Sequence, residues 1–156
     1  LHNHPCIVTW VLFNEGWGQF DARDAVRRVR AIDPTRPIDA TSGWFDQGCG
    51  DFVSEHNYFR KLRVHLPRGS SRAFVISEFG GLTWHVEGHS SFSEPYGYAG
   101  FASLEEWRRA VRALLDEADA LEVKGLSGYV YTQLSDVEEE TNGLLSFDRR
   151  VNKLLP

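Results

Sequence analysis

Residues 6–13, Cys-Ile-Val-Thr-Trp-Val-Leu-Phe, run almost without a polar side chain and without the alternation of a half-exposed strand. A β-branched, apolar run of this length reads as a strand buried on both faces. Such strands belong in a parallel sheet that helices cover on both sides or that closes into a barrel. Residues 73–77 (Ala-Phe-Val-Ile-Ser) and 126–131 (Leu-Ser-Gly-Tyr-Val-Tyr) repeat the pattern, and residues 37–41 and 51–57 are shorter, weaker versions of it. Between them lie two helical periodicities. Asp21 stands where it can cap a helix whose apolar positions are Ala22, Ala25, Val26, Val29 and Ile32, and Asp33-Pro34 stops that helix. Ser103-Leu-Glu-Glu opens a second helix as a capping box with Glu106 at the third helical position. Leu104, Trp107, Val111, Leu114, Leu115, Ala118 and Leu121 hold one face, and Gly125 can end it. The order strand, helix, three strands, helix, strand predicts an α/β fold. Residues 80–101, rich in glycine and aromatics, read as a long irregular loop.

The chemistry-bearing residues collect at one end of these strands. Asn14-Glu15, Trp44, His56-Asn57-Tyr58, Glu78 and Tyr131-Thr132-Gln133 each follow or finish a strand at its C-terminal end. In parallel α/β architectures the active site lies at that edge. Two of these residues are glutamates in matching surroundings, Glu15-Gly-Trp-Gly-Gln-Phe and Glu78-Phe-Gly-Gly. Glycines let backbone approach a ligand, and aromatic rings offer flat apolar faces that suit the C–H faces of a sugar. Glycoside hydrolysis asks for such a pair of carboxyls, one to protonate the leaving oxygen and one to attack or to activate water. A lone glutamate after a strand is more often a satisfied polar cap; two on one rim favour the functional reading. Trp10, Phe13 and Trp17 would give Glu15 an apolar setting that favours its protonated form.

Composition excludes several other classes. The chain has 156 residues, 42% hydrophobic and 25% charged, which is a folded chain of about one domain rather than a disordered one. Its formal net charge of −5, with Lys and Arg scattered, gives no footprint for nucleic acid or an anionic membrane surface. The two cysteines have neither metal spacing nor a disulfide framework. Methionine is absent and residue 1 is Leu, so the chain reads as a piece of something longer.

The segments Asn-His-Pro-Cys-Ile-Val-Thr-Trp-Val-Leu-Phe-Asn-Glu-Gly-Trp (residues 3–17) and Val-Ile-Ser-Glu-Phe-Gly-Gly (residues 75–81) resemble the acid/base and nucleophile strands of glycoside hydrolase family 2. Residues 128–149, Gly-Tyr-Val-Tyr-Thr-Gln-Leu-Ser-Asp onward, resemble the family's eighth strand and the segment leaving it. The resemblance implies a (β/α)8 TIM barrel of which this chain holds roughly strands four to eight. The first three barrel strands and β-sandwich domains would then lie elsewhere in the same protein. It implies a retaining, exo-acting β-glycosidase of the β-galactosidase-like kind, acting on a β-linked glycoside with no metal and no redox cofactor. Carried over residue by residue, Glu15 matches the general acid/base and Glu78 the nucleophile. Asn14 matches a residue that hydrogen-bonds the sugar 2-hydroxyl, Tyr58 a tyrosine that orients the nucleophile, and Tyr131 an aromatic under the sugar where many relatives have Trp. The glucuronidase branch carries an Asn-x-Lys pair where this chain has Glu140-Thr141-Asn142, so glucuronides are disfavoured. Trp44 reads as a sugar platform and His56 as a residue that touches substrate or braces the site. The alternative from another class is a catalytically inactive, carbohydrate-binding relative on the same barrel.

Other residues have blander readings. His2 and His4 precede their strand and sit on the opposite rim, which suits a structural role. Residues 136–140, an acidic run, read as a solvated surface segment.

Overall fold

The computed structural model describes residues 1–94, 96 and 99–155. Residues 95, 97 and 98 of the long loop expected over 80–101, and residue 156, lie outside the described residues. The order of elements is β1 (Trp10–Asn14), α1 (Ala22–Ile32), β2 (Ile38–Ser42), β3 (Phe52–Asn57), β4 (Ala73–Gly80), β5 (Leu82–Thr83), β6 (Ala99–Gly100), α2 (Leu104–Asp119) and β7 (Leu126–Thr132). The strands and helices therefore come in the order the sequence predicts, with two short strands added. The chain divides into two compact units: Leu1–His56 with Arg63–Ser77 and Glu122–Tyr129, and Asn57–Leu62 with Glu78–Leu121 and Val130–Pro156.

In the first unit β1 and β2 pair in parallel, Trp10 opposite Ile38 and Asn14 opposite Ser42, with α1 packed against both. The core here is Ile38, Ala40, Val53, Phe74, Ile76 and Leu126. Burying each of the larger ones contributes roughly 1.5–3 kcal/mol. The first strand is shorter and less buried than its sequence suggests. Ladder pairing begins only at Trp10, and Val8 and Val11 are exposed. The physical reason is that β1 has β2 on one side and, among the described residues, no strand on the other. The sheet also breaks after β2, because β3, β4 and β7 form their own sheet in the order β3-β4-β7. Where a ladder to β3 would run, the Ile38 N–H donates to the Asp51 carboxylate (2.6 Å) and Asp51 N–H to the Ile38 carbonyl (2.8 Å).

Helix α1 starts without the expected side-chain cap. Asp21 occupies the N-cap position in a left-handed conformation (φ 43°), and its carbonyl accepts from the Asp24 and Ala25 N–H groups instead. At the other end Ile32 is exposed, and the half-buried Arg30 turns in towards Asp51 and the Arg36 carbonyl (2.9 Å). Asp33, the stop signal, is nearly fully buried. Its carboxylate accepts from the Thr35 hydroxyl (2.6 Å), the Thr35 N–H (2.9 Å), Arg36 (2.6 Å) and the Trp10 indole (2.9 Å). The Thr35 hydroxyl foremost, opposed by burial and aided by Arg36, holds this carboxyl well below the usual range. Arg36 also donates to the carbonyls of Ile7 (2.6 Å), His2 (2.9 Å) and His4 (3.1 Å), which ties down the chain leading into β1.

In the second unit α2 keeps the face the periodicity predicts, with Trp107, Val111 and Ala118 buried. The Ser103 hydroxyl accepts from the Glu106 N–H (3.2 Å), and the Glu106 carboxylate accepts from the Ala102 N–H (3.2 Å), one residue before the cap itself. The helix ends at Asp119; a 3-10 turn over Glu122–Lys124 follows before Gly125 at φ 100°. The glycine-rich loop is more regular than expected, since β5 and β6 pair in parallel across it and the Trp107 indole donates to the Leu82 carbonyl (2.8 Å).

The acidic run over 136–140 is not a solvated surface segment at its first residue. Asp136 is buried and pairs with Lys153 (2.7 Å), and neither side chain is exposed. The other two ammonium protons of Lys153 go to the carbonyls of Trp84 (2.9 Å) and Thr141 (2.9 Å). Asp136 also accepts from the Gly143 N–H (2.9 Å), and a Cβ at Gly143 would meet the Asp136 nitrogen at 2.2 Å. No helix among the described residues is long and apolar enough to cross a membrane.

Candidate active site

The residues singled out from sequence fall into two groups, one in each unit. In the first, β1 ends at Asn14 and the chain turns at Glu15 into a left-handed conformation (φ 55°) while its N–H still donates to the Ser42 carbonyl of β2 (2.7 Å). Gln19 fixes this turn by donating to the Glu15 carbonyl and to the Trp44 carbonyl (3.2 Å). The Glu15 side chain, 18% exposed, faces Nδ1 of His56 at 3.1 Å, and the imidazole has no exposure at all. On its far side, Nε2 of His56 lies 3.0 Å from the Ser42 hydroxyl. Gly43 is what admits the ring: its φ is 91°, and a Cβ there would come within 2.6 Å of the imidazole.

Behind His56 the polar contacts continue inward. Ser42 donates to Ser77 (2.9 Å), and Ser77 and Ser54 share a 2.6 Å hydrogen bond. Asp39 is also buried, in the middle of β2; burial raises its pKa, while the Ser54 hydroxyl, the Thr41 N–H, the charge of His56 and the Ser42 hydroxyl pull it back. The sequence signal for this cluster was a polar residue inside a strand that otherwise lacks alternation: Asp39, Ser54 and Ser77 each qualify, and none was singled out.

The apolar setting expected around Glu15 differs from what the structure has. Trp10 turns its indole to Asp33, and Trp17 is 80% exposed. Phe13 packs edge-on against Phe20, with centroids 5.5 Å apart. What Glu15 meets is an imidazole. Asn14 is exposed at the end of β1, and Trp44 and Phe45 are exposed after β2. The Phe45 ring closes on Gly16, where a Cβ would stand 2.7 Å from it.

In the second unit Glu78 lies two residues before the end of β4. The Tyr58 phenol donates to its Oε2 at 2.6 Å, and the Thr132 hydroxyl lies 3.2 Å from the same phenol oxygen. A phenol has one proton, so with that proton on Glu78 the threonine is the donor in the second bond. Thr132, noted from sequence at its strand end but given no role there, is thus a part of this group. Tyr131 packs edge-on against Phe79 (5.6 Å, 89°), and its ring fills the space a Cβ on Gly80 would need. Burial pushes the Tyr131 phenol far above its ordinary value, since its oxygen finds no partner among the described residues. Beyond β7, Gln133 donates to Asn142 (2.6 Å) and Glu140 (3.1 Å), which brings two of the three residues at the 140–142 position to one amide.

A carboxylate that accepts a short bond from a phenol is fixed in orientation, which suits a nucleophile. One that faces an imidazole has a partner able to give or take a proton. No curated protein matches this chain. Residues 1–150 match the model of the glycosyl hydrolases family 2, TIM barrel domain, and the chain belongs to that family.

Proposed function

We propose that this chain carries the two working glutamates of a retaining, exo-acting β-glycosidase, Glu78 as nucleophile and Glu15 as general acid/base. The observation that carries the reading is the difference between their partners: Tyr58 donates to Glu78 at 2.6 Å, whereas His56 faces Glu15 at 3.1 Å. Glu78 attacks the anomeric carbon as its carboxylate while Glu15 gives its proton to the departing glycosidic oxygen. The glycosyl ester on Glu78 is then hydrolysed by a water from which Glu15 takes a proton. Asn14, exposed at the end of β1, meets the sugar 2-hydroxyl, and the exposed ring of Trp44 offers the sugar a flat apolar face. Tyr131, packed by Phe79 and Gly80, serves as an aromatic floor.

The preferred substrate is a neutral β-linked sugar of the galactoside type. A glucuronide carboxylate needs a cation to read it, and the 140–142 position instead supports a carboxylate and two amides, Glu140 beside Gln133 and Asn142. The five longer strands correspond to strands four to eight of the barrel. The exposed edge of β1, with Val11 57% accessible, supports a missing neighbour there.

The test is turnover on a panel of aryl β-glycosides, with the configuration of the first-formed hemiacetal read by proton NMR. Release of the β-anomer from a neutral β-glycoside is the expected outcome. Release of the α-anomer would overturn the retaining mechanism. Binding of the sugars with no turnover would favour the inactive, carbohydrate-binding alternative.

A further inference from the structure

We propose that Phe45 is the platform for the leaving group: its exposed ring stands beside Glu15 and stacks on a flat ring that the departing alcohol carries. The inference rests on Glu15 being the acid/base. It adds which glycosides that residue serves best, those with an aromatic or sugar ring next to the bond to be cut.

The ring is held in place by hydrogen bonds between two turns. Because β1 and β2 pair in parallel, the segments that follow them, 15–19 and 43–47, leave the sheet side by side. Phe45 has a left-handed backbone (φ 61°), as Glu15 does (φ 55°). That conformation costs a residue with a Cβ energy and persists only where the surroundings enforce it. Here two side-chain amides do so. An amide nitrogen has two protons; those of Gln19 go to the Glu15 carbonyl and to the Trp44 carbonyl (3.2 Å). Those of Gln47 go to Oε1 of Gln19 (2.9 Å) and to the Phe45 carbonyl (3.1 Å). Between the two, Asp46 is tied to Arg72 by bonds of 2.6 and 2.8 Å. The Phe45 ring then lies on Gly16, where a Cβ would stand 2.7 Å from it.

All of this structure serves to keep an apolar ring in solvent. Phe45 is 69% exposed, and Trp17 (80%), Phe20 (71%) and Trp44 (46%) are exposed on the same two turns. Single exposed apolar residues are ordinary, but several aromatic rings gathered on two fixed turns mark a binding surface. Their position decides the occupant. A general acid must come within about 3 Å of the oxygen it protonates. The first ring of the leaving group therefore lies beside Glu15 and beside Gly16, the residue that the Phe45 ring covers. His56, with no exposure, takes the buried side of the Glu15 carboxyl, so the leaving group approaches from the solvent side, where the Phe45 ring is. A benzene ring reads flatness and apolar surface and makes no conventional hydrogen bonds, so it suits the π face of an aryl group or the C–H face of a sugar.

The test compares kcat/KM of the intact enzyme on benzyl and methyl β-galactoside, whose leaving alcohols are similarly poor, with a β-galactosyl-glucose disaccharide as third substrate. Phe45→Ala should lower the benzyl-to-methyl ratio roughly three- to tenfold, the worth of one stacked ring. Alanine has a Cβ as phenylalanine does, so the left-handed turn is equally strained in both. Gly16→Ala displaces the ring without removing it and should lower the ratio as well. A parallel fall for the disaccharide extends the class to sugar leaving groups; a fall for benzyl alone confines it to aromatic ones. An unchanged ratio in Phe45→Ala, or equal losses on all three substrates, would mean that the ring packs against protein and overturns the proposal. If that variant does not fold, an unchanged ratio in Gly16→Ala does the same. Calorimetric binding of benzyl and methyl 1-thio-β-galactosides, which are not cleaved, makes the comparison without catalysis. Selective weakening of the benzyl thioglycoside by Phe45→Ala, in a protein that turns nothing over, would sink the acid/base reading and keep the ring-binding site.

Discussion

The phenol of Tyr58 donates a 2.6 Å hydrogen bond to Oε2 of Glu78, and Thr132 braces the same phenol oxygen at 3.2 Å. A short bond to an ionised acceptor is worth about 1.5–3 kcal/mol. It holds the carboxylate at one rotation, and its loss frees Glu78 to wander.

Tyr58→Phe should therefore lower the rate of glycosyl-enzyme formation by roughly 10- to 10²-fold, which is what 1.5–3 kcal/mol converts to. The loss should be similar for good and poor leaving groups, because Tyr58 acts through Glu78 and not through the acid. Pre-steady-state bursts with an activated aryl glycoside measure the step directly. A Tyr58→Phe enzyme with undiminished burst rate would remove Tyr58 from the nucleophile's support. Thr132→Val should follow Tyr58→Phe in direction with a smaller effect.

The order of elements was legible because its signals are local: apolar runs without alternation for the strands, and a capping box with 3.6-residue spacing for α2. The two glutamates were picked out because each stands at a strand end among glycines and aromatics, and the proposed roles rest on the partners the structure gives them. What was not legible depended on residues far apart in sequence. Lys153 finds Asp136 from 17 positions away, and Arg36 reaches carbonyls about 30 positions back. The surroundings of Glu15 were misjudged for the same reason. Trp10 is close in sequence, yet its indole is claimed by Asp33, and the residue that meets Glu15 is His56, 41 positions on. The exposure of β1 was missed because a strand's own residues say how much they want burial, not what covers them.

The buried pair of Lys153 and Asp136 makes a separate prediction about stability. Lys153 gives its three protons to Asp136, Trp84 and Thr141, so Lys153→Met leaves one carboxylate and two carbonyls without their donor. Removing one member of such a pair costs about 3–5 kcal/mol, because the remaining charge stays buried. Chemical denaturation should show that loss, and Asp136→Asn a comparable one. A double variant, Lys153→Met with Asp136→Leu, should recover part of it, since no lone charge remains. A loss below about 1 kcal/mol for Lys153→Met would place the pair in the class of exposed, weak ion pairs.

Asp33 gives the pH dependence a sign. Its carboxyl is held below the ordinary value of 3.8, chiefly by the Thr35 hydroxyl and with help from Arg36. A group whose pKa falls on folding stabilises the fold above its unfolded value, and that stabilisation is lost as pH drops through the folded value. Acid unfolding should therefore begin below about pH 4, where the unfolded chain starts to take up the proton that the folded one refuses. Asp33→Asn should flatten this limb and lower stability at neutral pH, and unfolding curves measured from pH 7 to pH 2 will show whether it does. An acid limb identical in the variant would mean that other carboxylates govern it.

The last prediction separates the two glutamates by chemistry. In the proposed mechanism Glu78 must be ionised to attack the anomeric carbon, so Glu78→Gln should stop the first step for every substrate. Glu15 must deliver a proton to a poor leaving group, but a dinitrophenolate departs without one. Glu15→Ala should thus fall by roughly 10²–10⁴-fold on unactivated glycosides, the usual worth of a general acid. It should still form the glycosyl-enzyme from a dinitrophenyl glycoside and then stall, because water now lacks its base. Azide needs no base and is small enough for the space the side chain leaves. Adding it should restore turnover and give the β-glycosyl azide, by attack on the same face from which water would come. An α-glycosyl azide from this variant would show that no ester on Glu78 had formed. Recovery of Glu78→Gln with a β-azide would show the two roles to be exchanged.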